Sequence, residues 1–167
     1  MSGTLVSPHL RHLSATDRGR IEEITRAVGI FREDEIPVAL EVFDDAVRAG
    51  TLARPYSAIG AEVDGRLAGW ICWGPTPCTL GTYDLYWMAV DPSLHGSGIG
   101  TALIIEMERL LAGEVRLIVV ETAGRPDYAA TRRFYEARGY RATARIPDFY
   151  APGDDQVVYV KRVNGEQ

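Results

Sequence analysis

Residues 83–111 read YDLYWMAVDPSLHGSGIGTALIIEMERLL, and the rest of the chain is organised around them. Residues 84–90 have strand character, a turn follows, and residues 95–100 form a glycine-rich loop that leads into an amphipathic helix. The three glycines of the loop permit positive φ angles and a close approach of a ligand to the backbone. Unpaired N–H groups and the positive end of the helix dipole then converge on one point, which predicts a phosphate site.

The spacing of the loop glycines separates this loop from two common phosphate-binding motifs. A dinucleotide-binding Rossmann turn requires G-x-G-x-x-G, and a Walker loop requires G-x-x-x-x-G-K-[ST]. The spacing here is G-x-G-x-G, and no Lys-Ser or Lys-Thr pair follows it. The structural alternative is a glycine-rich helix N-terminus that only turns a corner.

Residues 95–100, HGSGIG, resemble the pyrophosphate loop of the GNAT acyl-CoA N-acyltransferases, Q/R-x-x-G-x-G/A, which lies between the fourth strand and third helix of that family. His95 departs from the usual Gln or Arg, so the resemblance does not imply the side-chain contact of that position. The backbone contacts require only the glycines.

A second motif, FYEARGY at residues 134–140, resembles the family's helix end F/L-Y-x-x-x-G-F/Y, in which the Tyr points at the sulfur of coenzyme A. In this chain that residue is Tyr135. Tyr128 and Thr131 stand where the family often has N-x-x-A, so the Asn contact to the pantetheine arm is missing or replaced. The resemblance covers about residues 55–162.

The resemblance implies an α/β fold with a mixed, mostly antiparallel sheet and about four flanking helices. Its fourth and fifth strands would form a parallel βαβ pair, splayed to bind acetyl-CoA, within a single domain over residues 1–167. It also implies acetyl-CoA as cosubstrate, with the loop holding the pyrophosphate and a strand edge pairing with the pantetheine amides. The implied donor-binding residues are Met88, Ala89, Val90, His95, Gly96, Ser97, Gly98, Ile99, Gly100, Thr101, Tyr128 and Tyr135.

Three side chains are candidates for proton transfer during acyl transfer to an amine. An alkylamine has a pKa near ~10.4 and arrives protonated, so a carboxylate must accept its proton. Asp84 lies six residues before Val90, where several GNAT enzymes place a catalytic Glu, and Glu121 at the end of the next strand is the rival base. The resemblance implies Tyr135 as the general acid. The structural alternatives are strand-end carboxylates and a Tyr that packs beside Phe134.

The remaining elements are predicted from hydrophobic periodicity and turn residues. Ser14 is a helix cap, Gly29 ends the first helix, and Asp64-Gly65 is a hairpin turn. Predicted helices begin after Ser14, near Glu33 and at residue 128. The predicted strands are 10–13, 56–63, 67–73, 79–90, 116–121, 140–146 and 156–162. A loop rich in Pro, Gly and Asp joins the last two strands. A strand, a helix and a parallel strand form a right-handed βαβ unit, whose ligand site lies at the carboxyl ends of its strands.

The amino-acid composition limits the classes of partner that the chain is expected to bind. Apolar residues make up 46% and charged residues 25% of 167, which is typical of one folded domain. The formal charge of −5 argues against a nucleic-acid partner and favours a cationic ligand. No apolar run reaches the ~20 residues of a membrane span, which predicts a cytoplasmic protein without a membrane partner. His9, His12 and His95 lack metal-ligand spacing, so no metal is expected, and Cys72 and Cys78 match no redox or zinc motif.

Glu33, Asp34 and Glu35 allow two interpretations. They could complement the dipole of the second helix, or they could form a negative border of the acceptor pocket, which the resemblance places near this segment. The second interpretation, together with Asp148, predicts a primary amine of a small molecule as acceptor. A protein N-terminal or lysine acetyltransferase is the alternative, and a non-catalytic acyl-CoA sensor is a third. A homodimer is compatible with the sequence.

Overall fold

The computed structural model of this protein describes residues 5–48 and 56–163. In order along the chain, its elements are β1 (His9–His12), α1 (Arg18–Ala27), α2 (Glu35–Val47), β2 (Ser57–Val63), β3 (Arg66–Pro75), β4 (Thr82–Val90), α3 (Ile99–Leu110), β5 (Leu117–Ala123), α4 (Ala129–Glu136), β6 (Arg141–Ala151) and β7 (Asp154–Arg162). The strand order is β1-β2-β3-β4-β5-β7-β6. The β4–β5 pair is parallel, as predicted, whereas β1–β2, β2–β3, β5–β7 and β6–β7 are antiparallel.

The chain divides into two compact units. Unit 1 comprises Met1–Gly74 and Trp87–Leu111, and unit 2 comprises Pro75–Tyr86 and Ala112–Gln167. None of the helices in the described part of the chain is long and apolar enough to cross a membrane.

In unit 1, α1 and α2 pack their apolar stripes into a core that also includes Trp70 of β3. The indole of Trp70 is fully buried, and its N–H donates to Oγ1 of Thr25 at 3.1 Å. The ring of Phe43 from α2 meets it edge-on with centroids 6.1 Å apart. The buried residues of α2, Ile36, Ala39, Leu40 and Phe43, recur three and four positions apart and therefore share one face of the helix.

Turn residues begin and end the elements of unit 1 as expected. Asp64 and Gly65 both have positive φ, 51° and 76°, which is the geometry of a two-residue hairpin turn between β2 and β3. Gly29 has a φ of 75° just after α1. Ser14 begins a 3₁₀ turn, Ala15–Asp17, that leads into α1.

In unit 2, β5 is the central strand. Residues Thr82–Leu85 of β4 pair with Leu117–Val120, and on the other side all seven residues of β5 pair with β7, from Leu117↔Arg162 to Ala123↔Gln156. Gly81 precedes β4 with a φ of 68°, and a Cβ there would lie 2.8 Å from the carbonyl oxygen of Glu114. Glycine at this position therefore allows the two segments to approach closely.

Most predicted boundaries differ from the structure by one or two residues, and the start of β4 and the end of β6 differ by more. Strand β4 begins at Thr82 rather than residue 79, because residues 79–81 form the turn at Gly81. Helix α4 begins at Ala129, after a 3₁₀ turn at Pro126–Tyr128. Strand β6 continues to Ala151, so residues 147–151 of the predicted loop belong to this strand, with an irregularity at Asp148, whose φ is 53°. Side chains hold that segment: Asp148 N–H donates to Oδ1 of Asp155 at 3.0 Å, and Gly153 N–H donates to Oδ1 of Asp148 at 2.6 Å.

Candidate donor and catalytic site

The glycine loop of unit 1 forms an open cradle before helix α3. Gly98 is the N-cap of α3 with a φ of 91°, and Gly96 has a φ of 79°. Among the described residues, a Cβ at Gly96 would meet no atom within 4 Å, and one at Gly98 would meet only the Leu5 side chain at 3.4 Å. The twelve-residue helix directs its first N–H groups and the positive end of its dipole toward this loop. The loop therefore has the form of an anion site and fits a pyrophosphate.

Asp91 anchors the entry to the loop. Its Oδ1 accepts hydrogen bonds from Ser93 Oγ at 2.7 Å and Ser93 N–H at 3.0 Å, and its Oδ2 accepts one from Arg20 of α1 at 2.5 Å. The Ser93 hydroxyl, with smaller contributions from Ser93 N–H and the Arg20 guanidinium, lowers the pKa of Asp91 to about 2. Arg20 also donates to the carbonyl of Leu67 at 3.0 Å. This anchor was not predicted, because no local pattern links residue 20 with residue 91.

His95 replaces the family's Gln or Arg with a contact inside the protein. Its Nε2 lies 2.8 Å from the carbonyl oxygen of Val90. A carbonyl oxygen only accepts, so Nε2 carries a proton and donates it. Ser97 is buried, its hydroxyl donates to the Leu94 carbonyl, and its own carbonyl accepts from Val6 N–H at 3.1 Å. The loop is thus tied to the end of β4 and to the N-terminal segment.

The predicted pantetheine-binding residues Met88, Ala89 and Val90 form the last three positions of β4, and Ala89 is buried. Gly69 of β3 lies close to them, since a Cβ at this position would be 3.1 Å from the Ala89 carbonyl oxygen. Thr101 lies in the first turn of α3. A pantetheine contact for each of these residues stays a prediction.

Unit 2 brings the two candidate bases together. Asp84 pairs with Val119 in the parallel ladder, and Glu121 lies two residues beyond Val119 on the same strand. Paired residues share a face and side chains alternate, so Asp84 and Glu121 lie on the same face of the sheet. Oδ2 of Asp84 accepts a hydrogen bond of 2.6 Å from Thr76 Oγ1. The Glu121 side chain is exposed, yet partial desolvation, and next the charge of Asp84, raise its pKa.

Tyr135 lies on the opposite face of β5. Its ring contacts Phe134, Tyr140 and Tyr159 with centroids 5.4, 5.6 and 6.3 Å apart. Tyr159 pairs with Val120, whose side chain points away from the Glu121 face. Tyr135 is 4% exposed, and burial raises the pKa of its hydroxyl well above the usual value, with a smaller effect from Tyr128. Tyr135 therefore stays protonated at neutral pH.

Tyr128 is the residue before α4, and the Arg125 guanidinium lies 5.1 Å from the centre of its ring. Its predicted contact with the donor stays a prediction. Thr131, at the other replaced position of the N-x-x-A pattern, lies within α4 and is partly exposed.

The acidic residues at the start of α2, Glu33, Asp34 and Glu35, are engaged in contacts within the protein. Glu33 pairs with Arg26, Asp34 pairs with Arg32, and Oε2 of Glu35 accepts from the N–H of Arg32 at 2.7 Å. These contacts tie the three carboxylates to the surface around the start of α2, and both interpretations of this segment stay predictions. Asp148 is likewise bonded to its own hairpin.

Within the described ranges, no group of three or more His, Cys, Asp or Glu residues is arranged to hold a metal ion. Cys72 is buried and burial raises the pKa of its thiol, whereas Cys78 is exposed.

Comparison with known proteins extends these observations. Over 107 residues the chain is 31% identical to an uncharacterized N-acetyltransferase of Methanocaldococcus jannaschii, which covers 61% of the chain and 64% of that protein. It is 31% identical over 111 residues to the L-2,4-diaminobutyric acid acetyltransferase of Nocardia farcinica, which covers 60% of the chain and 57% of the enzyme. The matched segments thus span less than two thirds of both relatives.

Among solved structures, a protein of the GNAT family from Desulfovibrio desulfuricans superposes with a TM-score of 0.88 at 38% identity, covering 95% of this chain and all of that one. An aminoglycoside 6'-N-acetyltransferase complexed with coenzyme A superposes with a TM-score of 0.74 at 15% identity over 95% of this chain and 99% of that one, which shows a shared fold.

The glycine loop, helix α3 and the parallel β4–β5 pair all lie within the part of the chain that matches a known protein family. Residues 22–140, well over half of the chain, match the Acetyltransferase (GNAT) family. This match includes the glycine loop, both candidate bases and the Tyr135 motif. The chain therefore belongs to the GNAT family of acetyltransferases.

Proposed function

We propose that this acyltransferase moves an acetyl group from acetyl-CoA directly to the primary amine of a small molecule. The observation that carries the proposal is the arrangement around β5, where two carboxylates lie on one face and a protonated tyrosine lies on the other. Direct transfer requires a proton acceptor on the side from which the amine attacks and a proton donor for the departing sulfur.

The donor would be held by the loop of unit 1. Backbone N–H groups around Gly96, Gly98 and Gly100 would bind the pyrophosphate, with the dipole of α3 adding attraction. When bound, acetyl-CoA supplies an activated thioester, so the protein has to orient the acetyl group and move protons. The strand edge at residues 88–90 would orient the pantetheine arm through backbone hydrogen bonds.

The residues of unit 2 would carry the protons. A carboxylate, Asp84 or Glu121, takes a proton from the ammonium form of the acceptor and leaves a nucleophilic nitrogen. As the new carbon–nitrogen bond forms and the carbon–sulfur bond breaks, Tyr135 donates its hydroxyl proton to sulfur. The balance is one acetyl group transferred, one proton taken from the amine and one proton given to the thiolate.

A small amine acceptor is supported by two observations. The net charge of −5 attracts cations, and the relative from Nocardia farcinica is named for a small diamino acid. The acidic residues at the start of α2 do not add support, because each of the three carboxylates already has a partner. The alternative acceptor is a protein N-terminus or lysine. Cytoplasmic location and a homodimer stay predictions.

A screen of the wild-type enzyme tests the proposal. Amines, amino acids and peptides would be incubated with acetyl-CoA, and release of free coenzyme A would be measured with a thiol reagent. We expect a small primary amine to give the highest kcat/KM. A preference for peptides would establish the protein acetyltransferase alternative, whereas tight coenzyme A binding without turnover of any acceptor would favour the sensor.

A further inference from the structure

We propose that Glu121 is the general base and that Asp84, held in place by Thr76, is a positioning residue whose charge acts on Glu121. This inference rests on the proposed function, because it assigns the proton acceptor of the same reaction. It also names a residue, Thr76, that no sequence motif identified.

The first step is the environment of Asp84. Its Oδ2 accepts a short hydrogen bond of 2.6 Å from Thr76 Oγ1 and a long one of 3.5 Å from the hydroxyl of Tyr86. Thr76 is itself held, because its N–H donates to the Thr82 carbonyl at 2.9 Å and its carbonyl accepts from Thr79 Oγ1 at 2.7 Å. Because these hydroxyl groups hold one oxygen of Asp84, its carboxylate is poorly placed to move toward the acceptor and take its proton.

The second step is the position of Glu121. It follows the last residue of β5 that pairs with β4, since the ladder ends at Leu85↔Val120. Its side chain is exposed on the face that Asp84 shares, and no hydrogen bond of the Glu121 carboxylate is present within the described residues. It can therefore reach an acceptor that approaches this face. Partial burial and the neighbouring Asp84 charge both raise its pKa, and a more basic carboxylate is a better proton acceptor near neutral pH.

Among the described residues of unit 2, no charged group on this face lies closer to Glu121 in the strand register than Asp84. Asp84 and Glu121 are diagonal neighbours on parallel strands, which places their Cα atoms about 8 Å apart. On β7, the residues of this face nearest Glu121 are Gln156, Val158 and Val160, which carry no charge. Tyr86, a titratable but uncharged group, lies level with Glu121 in the register of β4 and on the same face. The charged groups of this face at greater distance are Asp154 and Arg162, four residues from Val158 in each direction on β7, and Arg141, which pairs with Val160 from β6.

Two substitutions separate the roles of the carboxylates. With the best amine from the screen, Glu121→Gln is expected to lower kcat/KM at neutral pH by about 10²- to 10³-fold and to remove the acid limb of its pH profile. Asp84→Asn keeps the acceptor oxygen for Thr76 but removes the charge, so the acid limb should move to lower pH while turnover remains within about tenfold of wild type at the optimum. The reverse pattern, with Asp84→Asn inactive and Glu121→Gln merely shifted, would overturn the assignment.

Thr76 is tested by a matched pair. Thr76→Val removes the hydroxyl at nearly constant side-chain volume, so Asp84 loses the hydrogen bond that holds it. The acid limb of the pH profile should then move to lower pH, as in Asp84→Asn. Thr76→Ser keeps the hydroxyl and should restore the wild-type profile. Glu41→Gln, at an exposed position of α2, controls for the general loss of a carboxylate. If the pH profile of Thr76→Val is the same as that of the wild type, Thr76 does not position Asp84, and this part of the proposal is wrong.

A measurement without turnover keeps this inference separate from the proposed function. Carbon-13 NMR titration of labelled Glu carboxyls, with the Glu121 signal identified by its loss in Glu121→Gln, reports the Glu121 pKa directly. We expect it to fall in Asp84→Asn, and an unchanged titration would refute the coupling even in an active enzyme. If the wild type acetylates no amine, the proposed function fails while the titration still decides whether Asp84 acts on Glu121.

Discussion

At the scale of single residues, burial and neighbouring charges determine which side chains are ready for chemistry. Tyr135 is a phenol enclosed by three aromatic rings, so its ionised form is disfavoured and its hydroxyl remains a proton donor. Asp91 shows the opposite effect, because hydroxyl, N–H and guanidinium donors stabilise its charged form. Tyr135 therefore stays neutral, as its proposed catalytic role requires, and Asp91 stays charged and anchors the glycine loop.

Replacing Tyr135 with Phe should lower kcat about 10²-fold while coenzyme A affinity and Tm hardly change, because the ring and its packing are retained. The thiolate of coenzyme A resembles Cys, with a pKa near ~8.5, so the acid assists but is not indispensable. Steady-state kinetics with chemistry as the slow step would measure the loss. Tyr83→Phe is the matched control, since the hydroxyl of Tyr83 donates a hydrogen bond of 3.3 Å to Glu114 at the surface. A wild-type kcat in Tyr135→Phe would exclude Tyr135 from the mechanism.

Replacing Asp91 with Asn should lower the free energy of unfolding at pH 7 by up to about 2 kcal/mol, the linkage equivalent of a carboxyl pKa lowered to about 2. A carboxyl with a lowered folded-state pKa contributes stability above its unfolded value, and this contribution is lost as the pH falls from about 4 through 2. The difference between variant and wild type should therefore vanish near pH 2.

Urea unfolding across this pH range measures the effect. Asp44→Asn is the control, because Asp44 forms an exposed pair with Arg18 and should lose less than about 0.5 kcal/mol. Equal losses in the two variants at pH 7 would show that the bonds of Asp91 contribute no more than a surface ion pair.

At the scale of elements, the loop and α3 act together. The helix supplies the dipole and directs its first N–H groups toward the loop, the glycines keep the approach open, and His95 and Asp91 tie the loop to β4 and α1. A loop held at both ends loses little freedom when it binds an anion, which lowers the entropic cost of binding.

Gly98→Asp should weaken coenzyme A binding at least tenfold, about 2 kcal/mol or more, because the side chain fills the cradle and its charge repels phosphate. Gly113→Asp provides a close control, since Gly113 has the same φ of 91° and open space around it but lies after α3. Both variants carry the same backbone strain and added charge. Calorimetric titration of each folded variant with coenzyme A would measure the two affinities. Equal affinities would show that the glycine loop does not bind the donor.

At the scale of the whole molecule, the relevant quantities are net charge and the division of functions between the units. Unit 1 contains the predicted donor cradle, whereas unit 2 contains the three candidate proton carriers. That residues 1–167 form a single domain stays a prediction. The charge of −5 acts on ligands at a distance, and such attraction is reduced when salt shortens the screening length from about 30 Å at 0.01 M to about 8 Å at 0.15 M.

If the acceptor is a small cation, its KM should rise several-fold between about 0.01 and 0.15 M salt, because electrostatic attraction to the protein is screened. An uncharged amine analogue should show little change, which controls for effects of salt on the enzyme. Kinetics at constant pH would measure both. An anionic best acceptor whose rate rises with ionic strength would contradict the expected preference for cations.

The sequence alone determined the elements and the loop of this protein, because their signals are local. Glycines at 96, 98 and 100 mark a backbone that must stay open, and apolar residues at helical spacing define the buried side of a helix wherever it packs. For the same reason the hairpin at Asp64-Gly65 and the parallel β4–β5 pair could be predicted. Boundaries were less accurate at residues 147–151, where hydrogen bonds to the side chains of Asp148 and Asp155 hold this part of the hairpin.

Only the tertiary structure decided how distant residues act on one another. Alternation along a strand states which residues share a face, but the register of β5 with β4 and β7 is needed to place Asp84 beside Glu121 and Tyr135 on the other face. The Arg20–Asp91 and Thr76–Asp84 contacts, and the pairing of Glu33 with Arg26, likewise depend on how the chain folds back on itself. Charge and proton affinity depend on distance in space, and a list of residues contains only distance along the chain.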